Sequence, residues 1–402
     1  MPYKNIRCRI YPSKIQRRKF RQIFTLCRYA YNRMLEIWEE DYKKTSKNNE
    51  LISIKELRDK YPILKKVNST ILVYERNWLQ TSIRRFFKGI SKYPKYHSNK
   101  NDKDSFGYYN VGPLKQKAIE LLDNSHIRIP MFGIFRVVID SKFHNYLDNL
   151  TSITISHNRH NQYFITILID DTSTIINKPI SITSNSKCIG FDYDNPKTFI
   201  DSNGNSPSIR IYRDNEKRLI EIQKRMSKYK CGSNGYNKYK HKLSQIHLHI
   251  ADKRKWILYN LAKEYVSNYD IIVFEDINLQ LLSDTSKEIY GIDSDIPIKL
   301  RIGKGIHDNG FGLFRDRVKQ LCDEKGKYFI KVPSNYNSSQ ICSKCGNEKI
   351  GEDRIKLNDK VYKCNKCGLE IDRDYNAAIN IRNKGKEIVL EEMKGKRKKG
   401  KK

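Results

Sequence analysis

Residues Ser338 to Ile381 read SSQICSKCGNEKIGEDRIKLNDKVYKCNKCGLEIDRDYNAAINI. Cys342, Cys345, Cys364 and Cys367 form two Cys-x-x-Cys pairs with 18 residues between them. Four thiolates in two such knuckles match a tetrahedral structural site for one zinc ion, a better account of the spacing than coincidence. The next run, Asp372-Arg373-Asp374-Tyr375-Asn376-Ala377-Ala378-Ile379-Asn380, opens like a helix. Acids stand at its start, and Ala378, Ile379 and Ile381 follow to pack. A carboxylate at the head of such a helix is well placed to bind a metal, which raises the question of which other acids it meets.

Upstream lies a pattern of strands and helices. KCIGFDYDNPKTFIDSNGN and SIRIYR read as three successive strands. Asp214 to Lys228 reads as a helix and Asn237 to Tyr269 as a longer one. IIVFEDINL reads as a buried strand ending in acids, Phe314 to Glu324 as a helix, and YFIKVP as a last strand. This order predicts a three-layer mixed α/β unit. Asp192 ends CIGFD, Glu275 ends IIVFE, and Asp374 begins the final helix. Strand ends lie together in such a sheet, so distant acids can share one site. Clustered carboxylates repel, and hard Mg²⁺, which prefers oxygen ligands, removes that cost. Two such ions about 4 Å apart activate a water and stabilise the leaving oxygen of a phosphodiester. Taken singly, each acid is more often a turn or cap residue; the set of three, each next to an apolar strand or helix, is what points to a site. Spacing leaves Asp194, Asp276 and Asp372 open as alternatives. Ile176 to Ser186 reads as a linker or edge segment, and Leu281 to His307 as a mobile lid loop.

The N-terminal half begins with a strand at residues 2–11, alternating around Tyr3, Ile6, Cys8 and Ile10. A helix follows Pro12-Ser13, with Phe20, Ile23, Phe24, Cys27, Tyr31, Met34, Leu35 and Trp38 on one face. Lys14, Arg17, Arg18, Lys19, Arg21 and Arg28 lie on the other. Shorter and longer helices are predicted at Ser53 to Asp59 and Ser69 to Phe87. Arg76, Gln80 and Arg84 stand off the packing side of the second. Arg17, Arg18, Arg28, Arg76, Gln80 and Arg84 are therefore candidate nucleic-acid contacts, set against the plainer reading of a solvated face. From Phe106 to Ile176, IRIPMFGIFRVVI, LTSITISH and QYFITILID alternate like strands. With the first strand they are expected to close a small barrel around the helical insertion.

Composition narrows the partner. Lys and Arg number 78 against 45 acids in 402 residues, a formal charge of +33. AT-rich coding would enrich Lys, but an excess of this size points to a polyanion, nucleic acid foremost. Cys8, Cys27, Cys188, Cys231 and Cys322 are scattered and odd in number, which suggests a reducing compartment. The N-terminus lacks a signal-peptide core, and apolar runs fall short of membrane-spanning length, so an intracellular protein with no membrane partner is expected. The basic end, KGKRKKGKK from Lys394, reads as a disordered tail and resembles a nuclear import signal, which would suit a eukaryotic or viral host.

These motifs together resemble the transposon-encoded TnpB nucleases and their eukaryotic and viral relatives, the Fanzor proteins, which are themselves similar to compact type V CRISPR effectors. The likeness rests on IGFD (Ile189–Asp192), VFEDINL (Val273–Leu279), DRDYNAAINI (Asp372–Ile381), the two knuckles NSSQICSKCG and YKCNKCG, and the opening RIYPSKIQRRKF and CRYAYNRML. It implies an RNase H-like (RuvC) nuclease that cuts DNA chosen by a guide RNA beside a short flanking motif. By motif, Asp192, Glu275 and Asp374 match the catalytic, magnesium-binding acids; the second Asp of DRDYNAA is the family's acid, which favours Asp374 over Asp372. The implied layout is a wedge β-barrel (1–10 and 104–180), a helical recognition domain (11–103), a nuclease domain (181–333 and 370–385), a zinc ribbon (334–369) and a basic tail (386–402). The implied cofactors are one structural zinc, two Mg²⁺ and a guide RNA encoded near the gene; the implied partner is double-stranded target DNA, with a monomer or dimer per RNA. The family usually continues its first motif with Leu-Gly, where this chain has Tyr193-Asp194. A guided DNA-binding regulator or transposon accessory protein that does not cut is the alternative, and a zinc-ribbon chaperone without a guide is a third reading.

Overall fold

A computed structural model describes residues 3–46, 49–98, 104–110, 119–123, 125–139, 149–158, 160–170, 179–183, 185–194, 197–278, 289–290, 297–298, 309–333, 335–356 and 359–399. Its contacts divide the chain into two compact units, Met1–Thr174 and Ile175–Lys402.

In the first unit, strands β1 (Tyr3–Ile10), β2 (Asp104–Tyr109), β6 (Leu150–His157) and β7 (Tyr163–Asp170) form an antiparallel sheet in the order β1-β7-β6-β2. A second sheet holds β3 (Glu120–Asp123), β4 (His126–Ile129) and β5 (Gly133–Arg136). Among the described residues the expected barrel is two open sheets, linked by a bridge between Ile10 and Val137. The helices α1 (Lys14–Thr45), α2 (Ile54–Lys60) and α3 (Ser69–Phe87) share one apolar core with these strands. Ser13 starts α1 with a capping box: its hydroxyl accepts from Gln16 N at 3.3 Å, and Gln16 Oε1 accepts from Ser13 N at 2.8 Å. The apolar stripe of α1 is buried from Phe20 to Trp38, as its spacing predicts.

In the second unit, β8 (Cys188–Asp192), β9 (Ile200–Asp201), β10 (Ile271–Glu275) and β13 (Tyr328–Val332) form a sheet ordered β13-β10-β8-β9. β10 runs parallel to β8 and β13, while β9 is an antiparallel edge. Among the described residues four helices accompany the sheet: α4 (Ile211–Ser227), α5 (Asn234–Asn268), α6 (Phe311–Lys325) and α7 (Arg373–Lys399). β8 and β10 are buried on both faces, and their alternation sorts the layers. Ile189, Phe191, Ile272 and Phe274 pack in one core with α5 and α6. Ile271, Val273 and Val332 pack in another with Ile381 and Val389 of α7. Between β13 and α7 stands the hairpin of β14 (Val361–Lys363) and β15 (Glu370–Asp372), beside the cysteines.

The structure departs from three further expectations. SIRIYR is not a strand: Ile211 opens α4, and Ile209 and Ile211 are buried in its core, an alternation that a helix entry satisfies as well as a strand does. The linker-like segment is partly core, since Ile182 is buried against β10, β13 and α7. The basic end is helical rather than disordered through Lys399, because buried Val389 carries α7 past residue 386. Most of the proposed lid at 281–307 lies outside the described residues; within it, β11 (Ile289–Tyr290) and β12 (Pro297–Ile298) pair.

Candidate active site and metal centre

The period of two along a strand places the acids. Ile271 and Val273 point towards α7, so Glu275, two residues on, leaves β10 on that face. In β8, Ile189 and Phe191 face α5 and α6, so Gly190 and Asp192 face α7. Gly190 is required there. A Cβ at this position would lie 2.5 Å from Ala378 O and 2.5 Å from Arg382 N, so the absence of a side chain lets α7 lie directly on β8. Since Phe191 pairs with Phe274 across the parallel ladder, Asp192 and Glu275 end neighbouring strands side by side. The first turn of α7 brings Asp374 to the same end.

Asp192 feels the charges of the other two acids. Asp192 is held well above the usual carboxylate range, first by burial and then by the charges of Glu275 and Asp374; Arg373 and the N–H of Tyr193 pull the other way. Burial likewise raises Glu275. Arg373 is the local cation, and its Nε and NH2 reach Asp374 Oδ1 at 2.8 and 2.7 Å. The alternatives separate by what they touch. Asp372 Oδ1 accepts from Asp374 N at 3.0 Å and Tyr375 N at 2.9 Å, which makes it the N-cap of α7. Asp276 pairs outward with Lys331 at 2.7 Å. Asp194 is half-buried beside Lys197 and is raised by burial and then by Asp374, so it lies at the margin of the cluster. Tyr193 turns inward: its hydroxyl accepts from Asn309 Nδ2 at 3.2 Å and its ring packs on Phe311.

The cysteines converge more tightly. Their four sulfurs lie within 4.8 Å of one another, with Cys342–Cys367 and Cys345–Cys364 each at 3.6 Å. A tetrahedron of sulfurs about 2.3 Å from zinc has edges of about 3.8 Å, so the donor set fits that ion. Each knuckle is built alike. The sulfur of Cys342 accepts from the N–H groups of Lys344 and Cys345, and that of Cys364 from Lys366 and Cys367. Gly346 and Gly368 follow at φ 72° and 67°, and their N–H groups return to the carbonyls of Cys342 and Cys364 at 2.9 and 3.0 Å. Among the described residues, no other group of three or more Cys, His, Asp or Glu closes to 4.8 Å.

The candidate nucleic-acid contacts of the first unit divide. Arg18 and Arg84 are exposed and Arg17 is half-buried. Three others hold the unit together. Arg28 pairs with Asp104. Arg76 donates to the carbonyls of Ile52 and Leu51 at 3.0 and 2.7 Å, and Gln80 Oε1 accepts from Leu51 N at 3.3 Å. Sequence reasoning missed Arg373, Asn376 and Asn380. The signal was available: Asn376 and Asn380 are polar residues four apart on the apolar face of a helix.

Residues 311–381 match the family described as Cas12f1-like, TNB domain, and residues 1–47 a family described as a helix-turn-helix domain. The second stretch here holds β1 and the single long helix α1. A Streptomyces pristinaespiralis protein bearing the name RNA-guided DNA endonuclease is 25% identical over 387 residues, 93% of this chain and 87% of its own. The similarly named InsQ of Escherichia coli strain K12 is 25% identical over 384 residues, 92% and 89% of the two chains. The chain in the cryo-EM structure of a Cas12f1-sgRNA-target DNA complex superposes with a TM-score of 0.56 at 13% identity, covering 95% of this chain and 98% of that one. This likeness places the chain among compact type V effector-like α/β folds.

Proposed function

We propose that this chain, a TnpB-like protein, is an RNA-guided DNA endonuclease whose Asp192, Glu275 and Asp374 bind the catalytic magnesium. The observation that carries this reading is the convergence of three carboxylates from β8, β10 and α7 at one end of the sheet, each in the field of another. The donor set suits the ion: oxygen ligands, crowded, with Arg373 as local counter-charge. Two bound Mg²⁺ would supply an activated water and neutralise the leaving oxygen of the scissile phosphodiester. The protein's own part is to hold the acids apart and aligned. β8 and β10 fix two of them in register, Gly190 lets the third approach, and Arg373 steadies Asp374.

The layout supports finer assignments in the same reading. The second unit is an RNase H-like (RuvC) domain carrying a one-zinc ribbon, and the first a wedge of strands with a helical recognition part. A guide RNA encoded near the gene selects double-stranded target DNA by base pairing, next to a short flanking motif. The excess of 78 cations over 45 acids suits a protein that grips a heteroduplex by its backbone, and Arg17, Arg18 and Arg84 remain contacts to test. One protein or two serve each RNA, inside the cell, and in the nucleus of a eukaryotic or viral host.

The test is a cleavage assay with co-purified RNA, matched double-stranded DNA and Mg²⁺. Asp192→Ala, Glu275→Ala and Asp374→Ala should bind RNA and DNA but not cut. Retained cutting in any one of them refutes the site. Guided binding without cutting by the wild-type chain would instead make it a regulator.

A further inference from the structure

The four-cysteine site and the acid-bearing helix are joined at both knuckles, in two different ways. From the second knuckle the chain runs through β15 to Asp372, whose carboxylate caps α7. From the first, the link is made by side chains. Asn376 Oδ1 accepts from Ser343 N at 2.9 Å, and its Nδ2 donates to Ile341 O at 2.7 Å. Asn380 Nδ2 donates to Ser338 O at 2.8 Å and to Ile341 O at 2.6 Å. Ile341 and Ser343 flank Cys342, one of the four thiols. Both asparagines are buried, 0% and 3% exposed, beside Ala377, Ala378 and Ile381. Buried amides persist where their hydrogen bonds are made, and residues four apart lie on one face of a helix. Asp374 stands between the cap and the first of these asparagines.

We propose that Asn376 and Asn380 are positioning residues that tie the first turn of α7 to the Cys342 knuckle, so that metal binding by the thiols fixes where Asp374 stands relative to Asp192 and Glu275. The proposal rests on Asp374 being a site acid. Its physical basis is that the asparagines have fixed partners only while the knuckle is closed. An ion on the four sulfurs locks the carbonyl of Ile341 and the N–H of Ser343; an open knuckle frees them and orphans two buried amides. The zinc site then holds the geometry of a distant acid in addition to its own hairpin, as outer-shell partners do for metal ligands elsewhere.

The experiment uses full-length, zinc-loaded Asn376→Ala and Asn380→Ala chains. Three quantities are read: zinc content, hydrogen exchange at the amides of Ala377 and Ala378, and Mn²⁺ affinity by electron paramagnetic resonance. One zinc per chain should remain, exchange should quicken at least about tenfold, and Mn²⁺ should bind about 10- to 100-fold more weakly. Asn376→Asp, which keeps the acceptor for Ser343 and loses the donor to Ile341, should fall between. Wild-type chain stripped of zinc by a chelator should show the same faster exchange. Zinc-loaded variants with wild-type exchange and Mn²⁺ affinity overturn the proposal. If the variants do not fold, unchanged exchange in the stripped wild type overturns it. Asp374→Asn separates the premise: undiminished Mn²⁺ binding there refutes the acid site, while the exchange data still judge the clamp.

Discussion

The cysteines and the carboxylates differ in how closely the fold gathers them. The four sulfurs lie within 4.8 Å of one another, whereas the three acids interact across a wider space. Each knuckle sets its own geometry over five residues of backbone, and the N–H groups of Cys367 and Lys366 draw the Cys364 thiol down to about 6, ready to bind a cation. Carboxylates repel, and their positions come from the ends of β8, β10 and α7. Two ions about 3.5–4 Å apart also need ligands spread around them. The thiol site is thus a folding device and the acid site a held-open one, which implies that metals act on different observables at the two.

The largest effect should come from the thiols. Cys342→Ser or Cys364→Ser should lose zinc and unfold the β14–β15 hairpin, since zinc binding in such modules is worth about 10–16 kcal/mol. Zinc analysis and amide exchange across 340–372 check this, and a variant that keeps both zinc and hairpin would erase the contrast. Next, Asp192→Asn should leave the melting temperature at or above wild type, because it removes a half-buried acid crowded by two others. Cleavage should nevertheless fall about 10⁴-fold, the scale of losing one member of a cooperating set. A large loss of stability would make Asp192 structural.

Glu75 provides a buried acid outside either site. Burial pushes its carboxyl up to about 7 from 4.5, with the N–H of Gly107 pulling down. The folded chain therefore keeps a proton that the unfolded chain releases. Stability of the first unit should fall as pH rises between 4.5 and 7, by up to about 3 kcal/mol. Glu75→Gln should flatten that slope in chemical denaturation; an unchanged slope would mean that burial alone does not raise acids here. A loss of similar size is expected from Gly190→Ala. Its Cβ would press on the backbone of Ala378 and Arg382, costing about 1–3 kcal/mol and displacing α7 from β8. Thermal melts and cleavage together should show loss in both.

Short-range pattern made much of this legible. The knuckles, the stripe of α1 and the boundaries of α3 all follow from spacing within a few turns. The acids were legible as strand ends, but their common face needed the register of β8 against β10. Asp201 shows why spacing fails for single acids. It too ends a strand and is fully buried, yet it accepts hydrogen bonds from Asn203, Asn205 and Tyr265, all within a turn-and-helix network. Arg28, Arg76 and Gln80 looked like a polar face because their partners, Asp104, the 51–52 carbonyls and the Leu51 N–H, are distant in sequence. SIRIYR misled because two isoleucines two apart, Ile209 and Ile211, serve a strand or a helix entry equally.

The most direct measurement is an anomalous difference map from crystals of the zinc-loaded chain soaked in Mn²⁺. Peaks are expected in contact with carboxylate oxygens of Asp192, Glu275 and Asp374, and are lost in Asp192→Asn. Manganese bound elsewhere, with these three acids bare, would contradict the acid site.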